Sequence, residues 1–73
     1  MKAIFRNSLN NQVLSLIKRK ESEYDCLILL SQENDQAFMD VLFRDGKLYQ
    51  EVSLGKLTSD SICINIMKWF RGR

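Results

Sequence analysis

The chain contains no proline and no histidine, only three glycines and two cysteines, and no long apolar run. Each shortage closes off a class of protein. Without histidine there is no imidazole to serve as a general base near neutral pH, and no Ser-His or Cys-His pair to activate a nucleophile. The same lack, with no Cys-x-x-Cys, removes the common zinc ligand sets. No glycine cluster forms a phosphate loop. The longest apolar stretch, Cys26 to Leu30, is far too short to span a bilayer. The start, MKAIFRNSLNNQ, lacks the apolar core of a signal peptide. These absences lead to the expectation of a soluble cytoplasmic protein with no membrane partner, no cofactor, no metal and no small-molecule substrate.

Both cysteines lie inside apolar runs, Cys26 in DCLILL and Cys63 in SICINIM. That placement suits buried free thiols in a reducing compartment. A bridge between them is the other reading the spacing allows. Seventy-three residues make one domain, 1–73, with a modest core and no length to spare for a pocket. Small domains of this kind usually need a disulfide, a metal or a partner. Self-association or a protein partner is the supplement that remains.

Charge is unevenly placed although the net value is only +2. Residues 1–20 carry Lys2, Arg6, Lys18, Arg19 and Lys20 and no acid. Residues 21–60 carry all nine acids with only Arg44, Lys47 and Lys56, and Lys68, Arg71 and Arg73 follow. The ends are basic and the middle is acidic.

Five elements are predicted. Leu9, Val13, Leu16 and Ile17 recur at helical spacing, which predicts a helix over about 7–20, with Phe5 extending the stripe and Asn7 or Ser8 as cap. Lys18, Arg19 and Lys20 would then close its last turn, where cations suit the helix dipole. Glu23 to Ser31 reads as a strand apolar on both faces, followed by a polar loop, SQENDQ. Gln36 to Arg44 and Lys47 to Leu54 read as strands joined by Asp45-Gly46, a strong hairpin signal. The stretch 59–71 fits either a strand, from Ile62, Ile64 and Ile66, or a helix, from Ile62, Cys63, Ile66, Met67 and Phe70. Capping by Thr58 or Ser59 and Gly72 favours the helix. The predicted fold class is α+β in the order α-β-β-β-α, a three-stranded antiparallel meander with both helices packed on one face.

A two-residue turn at Asp45-Gly46 sets Leu42 opposite Tyr49, Asp40 opposite Glu51, Met39 opposite Val52 and Phe38 opposite Ser53. One face then holds Ala37, Met39, Val41, Phe43, Leu48, Val52 and Leu54 and belongs under the helices. The other holds Phe38, Asp40, Leu42, Tyr49, Glu51 and Ser53. The first strand adds either Leu27 and Leu29 or Cys26, Ile28 and Leu30 to it. An apolar cluster flanked by acids on an outer face marks a contact site, so Phe38, Leu42, Tyr49, Asp40 and Glu51 are the candidate protein-interface residues. Asp40 and Glu51 face to face also suggest a carboxylate pair for acid–base chemistry or a metal. No third ligand or nucleophile accompanies them, which favours side chains splayed into solvent. Trp69 and Phe70 in KWFRGR could stack on bases, but they fit better as the last turn of a core helix.

The element order, with Tyr24 and Phe38 at the interval between the openings of a first and second strand, and Gly46, Lys47, Tyr49 and Glu51 in a Gly-Lys-x-Tyr-x-Glu pattern, resembles the double-stranded RNA-binding domain family. The resemblance implies duplex-RNA contact through the first helix, the loop after the first strand and the start of the second helix. Asn11, Gln12, Lys18 and Lys20 on the first helix, with Lys56, are the residues here that fit such contact. The other two regions depart from the pattern. SQENDQ brings Glu33 and Asp35, and the stretch from Lys56 to Ser61 has one base and one acid, so a degenerate member serving protein contacts is implied. The expected function is therefore that of a non-enzymatic protein-binding module. It would be an adaptor or inhibitor of the kind phages and mobile elements encode, acting through its outer sheet face or sheet edge, with a homodimer as one form. Weak double-stranded RNA binding by the basic helical layer is the alternative.

Overall fold

The structure, a computed structural model, describes residues 1–73. Its elements run β1 (Lys2–Ala3), a single 3-10 turn (Arg6–Ser8), α1 (Asn11–Tyr24), β2 (Cys26–Glu33), β3 (Gln36–Phe43), β4 (Leu48–Lys56) and α2 (Ser59–Arg71). The class is α+β, and the sheet is antiparallel throughout in the order β1-β2-β3-β4. The expected three strands become four because Lys2 and Ala3 pair with Gln32 and Ser31 along the outer edge of β2.

The first helix begins four residues later than its stripe suggests. Asn10, rather than Asn7 or Ser8, is the cap, its side chain accepting the Val13 N–H at 2.9 Å. Phe5 falls outside the helix and is 74% exposed. The helix runs on to Tyr24 and stops where Asp25 turns left-handed (φ 53°). Lys18, Arg19 and Lys20 are therefore in mid-helix, and no base occupies the last turn. Tyr24 ends α1 instead of opening a strand, and its hydroxyl donates to the Phe70 carbonyl at 3.3 Å. The SQENDQ loop shrinks to Asn34-Asp35, with Asn34 at φ 55°, because Ser31, Gln32 and Glu33 continue β2 and Gln36 opens β3. Asparagine tolerates that conformation better than most residues.

The stretch 59–71 is the helix α2. Thr58 caps it by accepting the Ser61 N–H at 3.2 Å, and Asp60 lies in its first turn. Val13, Leu16 and Ile17 from α1 meet Ile62, Cys63, Ile66 and Phe70 from α2 over the inner face of the sheet. That face supplies Cys26, Ile28 and Leu30 from β2, Ala37, Met39 and Val41 from β3, and Leu54 from β4, all buried. Both helices thus cover the same side. Both thiols are free and buried. Burial, then the nearby Glu21 and Asp25 carboxylates, raises the Cys26 pKa; burial, then Asp60, raises that of Cys63.

Candidate functional site

The hairpin decides which side chains face outward. Its loop has three residues, not two: the Phe43 N–H donates to the Lys47 carbonyl at 2.9 Å, and the Gly46 N–H to the Phe43 carbonyl at 3.0 Å. Gly46 takes φ 94°, as the left-handed residue of a three-residue loop does. The pairs next to the loop are Leu42↔Leu48 and Val41↔Tyr49. The expected Leu42–Tyr49 pairing is therefore off by one residue, and a slip of one turns every side chain to the other face. Tyr49 lies on the helical side, half-buried against Phe43 and Trp69. Leu48 takes its place outside and is 51% exposed.

The slip is undone one step further on. The strand pairing shifts between Met39 and Val41, where Glu51 adopts φ 54° and its backbone N–H donates to Asp40 Oδ1 at 2.9 Å. Past this bulge Met39↔Val52 and Phe38↔Ser53 pair as expected. Asp40 and Glu51 are accordingly not a face-to-face carboxylate pair; Asp40 spends a lone pair on the Glu51 amide. No three His, Cys, Asp or Glu side chains gather anywhere in a way that could hold a metal ion.

The outer face is built around a row of leucines. Leu27 pairs with Leu42 and Leu42 with Leu48, so three strands carry a leucine side by side. Leu29, one step along β2, is opposite Asp40, and Phe38, half-buried, is opposite Ser31. Leu27 is 59% exposed, Leu29 65% and Leu42 42%. The first strand therefore turns Leu27 and Leu29 outward and Cys26, Ile28 and Leu30 inward, the choice its apolar pattern left open. On one side of the row Met1, Leu29, Asp40 and Glu51 border an open depression of about 560 Å³. On the other, Leu27 and Leu42 share a depression of about 380 Å³ with Asp25 and Arg44. Arg44 Nε lies 3.2 Å from Asp25 Oδ2, and both side chains are largely exposed.

The sheet edges are closed in a different way. Along β2, beyond the two-residue β1, the Ile28 N–H donates to Glu21 Oε2 at 2.8 Å. The Ile28 carbonyl accepts from Arg6 Nη2 at 3.3 Å. Arg6 and Glu21 pair with each other, so one ion pair occupies the backbone groups another strand would use. The opposite edge, β4, is bent by its left-handed residues Glu51 and Gly55, and bulges of this kind blunt strand addition. Composition gave no sign of this seal, because Arg6 and Glu21 meet only once β1 and the 3-10 turn fold across β2.

Four of the five residues that fit duplex-RNA contact are exposed, and one is partly covered. Asn11, Gln12 and Lys18 are exposed on α1 and Lys56 at the end of β4. Lys20 is partly covered, 3.2 Å from Glu23 and 5.7 Å from the centre of the Tyr24 ring. No helix is long and apolar enough to cross a membrane. Searches against protein-family models, curated proteins and solved structures found no match.

Proposed function

We propose that this chain is a protein-binding module, not an enzyme, and that its outer sheet face docks on a second copy of itself. The observation that carries the reading is the row Leu27–Leu42–Leu48, extended by Leu29, standing exposed on a sheet whose β2 edge is occupied at Ile28 and whose β4 edge is bent by left-handed residues. A contiguous apolar row on an outer face often marks a contact site, and edges that hinder strand addition make the face the favoured route for association.

Charge favours a second copy as the occupant. Asp40 precedes Leu42 by two residues and Arg44 follows it by two. Asp40 lies about 6.6 Å along β3 from the row, at roughly 3.3 Å per residue, and Arg44 opens the loop on its other side, beside Asp25. A twofold axis running along the leucine row reverses the strand direction, so Asp40 of each copy comes over Arg44 of the other. The row meets its own image, and the two acids are kept apart.

The interaction is modest in size. The three long strands offer a patch of about 14 by 26 Å per copy, below the size of standard specific interfaces and in the range of weak, transient ones. Covering a half-exposed leucine stabilises by about 1 kcal/mol, so eight of them contribute about 8 kcal/mol against association costs of about 4–15 kcal/mol. At the lowest cost the leucines alone leave about 4 kcal/mol, a millimolar dimer, and Phe38 with the Asp40–Arg44 contacts must add to that to bring it toward the micromolar range. Sedimentation equilibrium from about 1 µM to 1 mM should show mass rising from monomer to dimer. Leu42→Lys should hold the mass at monomer, and Arg44→Glu should weaken association about tenfold, a loss of about 1.4 kcal/mol. Monomer mass at every concentration for the unaltered chain refutes the proposal.

A further inference from the structure

On the helical side, away from the leucine row, three aromatic rings meet at the end of α2. The Tyr49 and Trp69 rings stand at 73° with centroids 5.3 Å apart. Phe43 backs both, 5.8 Å from Tyr49 and 6.3 Å from Trp69. Tyr49 and Trp69 form an open corner, and a cation already occupies it. The Arg73 guanidinium carbon lies 4.2 Å from the Tyr49 centroid and 4.0 Å from that of Trp69. A last tightened turn beyond α2 carries it there, the Gly72 N–H donating to the Trp69 carbonyl at 3.3 Å and the Arg73 N–H to the Phe70 carbonyl at 3.1 Å.

We infer that the Tyr49–Trp69 corner is a recognition site for an arginine side chain of a partner protein, held in the free chain by Arg73. Two ring faces within about 6 Å of one cation is the arrangement by which proteins bind weakly hydrated organic cations. Guanidinium suits it better than ammonium, because it is planar, stacks on aromatic faces and sheds water more easily. The recess beside it, about 190 Å³, is bordered by Phe43, Asp45, Lys47, Tyr49 and Arg73. One acid and one added base there cancel, so the ring faces and not net charge select the ligand. The only core function these rings share is partial: all three are half-buried, while Phe70 alone of the helix-end aromatics is fully enclosed. The inference does not depend on the leucine face, which lies on the other side of the sheet.

Arg73 is four residues from Trp69, so it competes at the high effective concentration of a short tether. Removing it should open the site. The test is a titration with N-acetyl-L-argininamide, read by the fluorescence and the indole N–H resonance of Trp69, the sole tryptophan. In Arg73→Ala the response should saturate and be at least about fivefold tighter than in the unaltered chain. N-acetyl-L-lysinamide should bind more weakly, and Tyr49→Leu added to Arg73→Ala should abolish the response. The arginine-over-lysine preference tests the site without a second substitution and so stands apart from any effect of Tyr49→Leu on folding. No saturable response in Arg73→Ala, a response equal to that of the unaltered chain, or equal affinity for the two amides overturns the inference.

Discussion

Gly55 should be among the least replaceable surface positions of the chain. It sits in β4 at φ 74°, next to a shift in strand pairing. A side chain there costs about 1–2 kcal/mol for the left-handed backbone alone. It also collides. A Cβ at Gly55 would lie 2.7 Å from Ser61 Oγ and 3.2 Å from Asn65 Nδ2. Those two groups are in use: the Ser61 hydroxyl and the Asn65 amide each donate to the Leu54 carbonyl at 2.9 Å. Displacing the Ser61 hydroxyl forfeits one such bond, worth about 0.5–1.5 kcal/mol. The lower unfolded-state entropy of alanine returns about 0.4–1 kcal/mol. Gly55→Ala should therefore destabilise by about 0.5–3 kcal/mol, lowering Tm by roughly 2–24 °C for a chain of this length. Urea unfolding should show the same loss as a shift in midpoint at constant slope. The clash makes a second, sharper claim. In a Ser61→Ala background the same substitution should cost about 1 kcal/mol less, since the obstructing oxygen is gone. A Gly55→Ala chain within about 0.5 kcal/mol of the parent, or strictly additive effects of the two changes, refutes the reasoning.

Phe5→Ala should change stability by less than about 0.5 kcal/mol, while Phe70→Ala, which empties a fully buried site, should cost about 3–5 kcal/mol, both read by urea unfolding. Glu21→Ala removes the acceptor of the Ile28 N–H and should expose the β2 edge, seen as faster hydrogen exchange at Ile28 and a rise in light scattering on heating; unchanged exchange there contradicts the seal. The thiols tie stability to pH. Their pKa values are raised in the folded chain above the ordinary 9.0, so their contribution is complete below pH 9.0 and is lost as pH climbs toward the folded values. Midpoints measured at rising pH should fall, and Cys26→Ser with Cys63→Ser should flatten that fall.

Much of the architecture was readable because its signals are periodic. Val13, Leu16 and Ile17 mark one helix face, and Ile62, Cys63, Ile66 and Phe70 another. Alternation in 36–44 and 47–54 marks paired strands, though their ends differ from β3 and β4 by one or two residues. Boundaries were less readable, because Asn7, Ser8 and Asn10 are all competent caps and only packing chooses among them. The site was legible in part. Phe38 and Leu42 do face outward, but Tyr49 and Leu48 exchanged places because Asp45-Gly46 serves a two-residue turn and a three-residue loop equally well. Nothing in the sequence marks Glu51 as left-handed, since glutamate has no preference for that conformation. The bulge it makes is the reason the pairing recovers by Met39. The Arg6–Glu21 pair and the Arg73 stacking are contacts between distant positions, and local patterns do not carry them.

The sealed flank of β2 has a consequence for how copies of this chain can add up. A sheet that accepts strands at its sides can recruit one molecule after another without limit. With Ile28 satisfied from within and β4 bent, lateral growth is hindered on both flanks, and the proposed contact through a face related by a twofold axis would consume itself when two molecules meet. Were the proposed pair to form, assembly would be finite, and crowding more protein together would fill the pair without seeding a fibre.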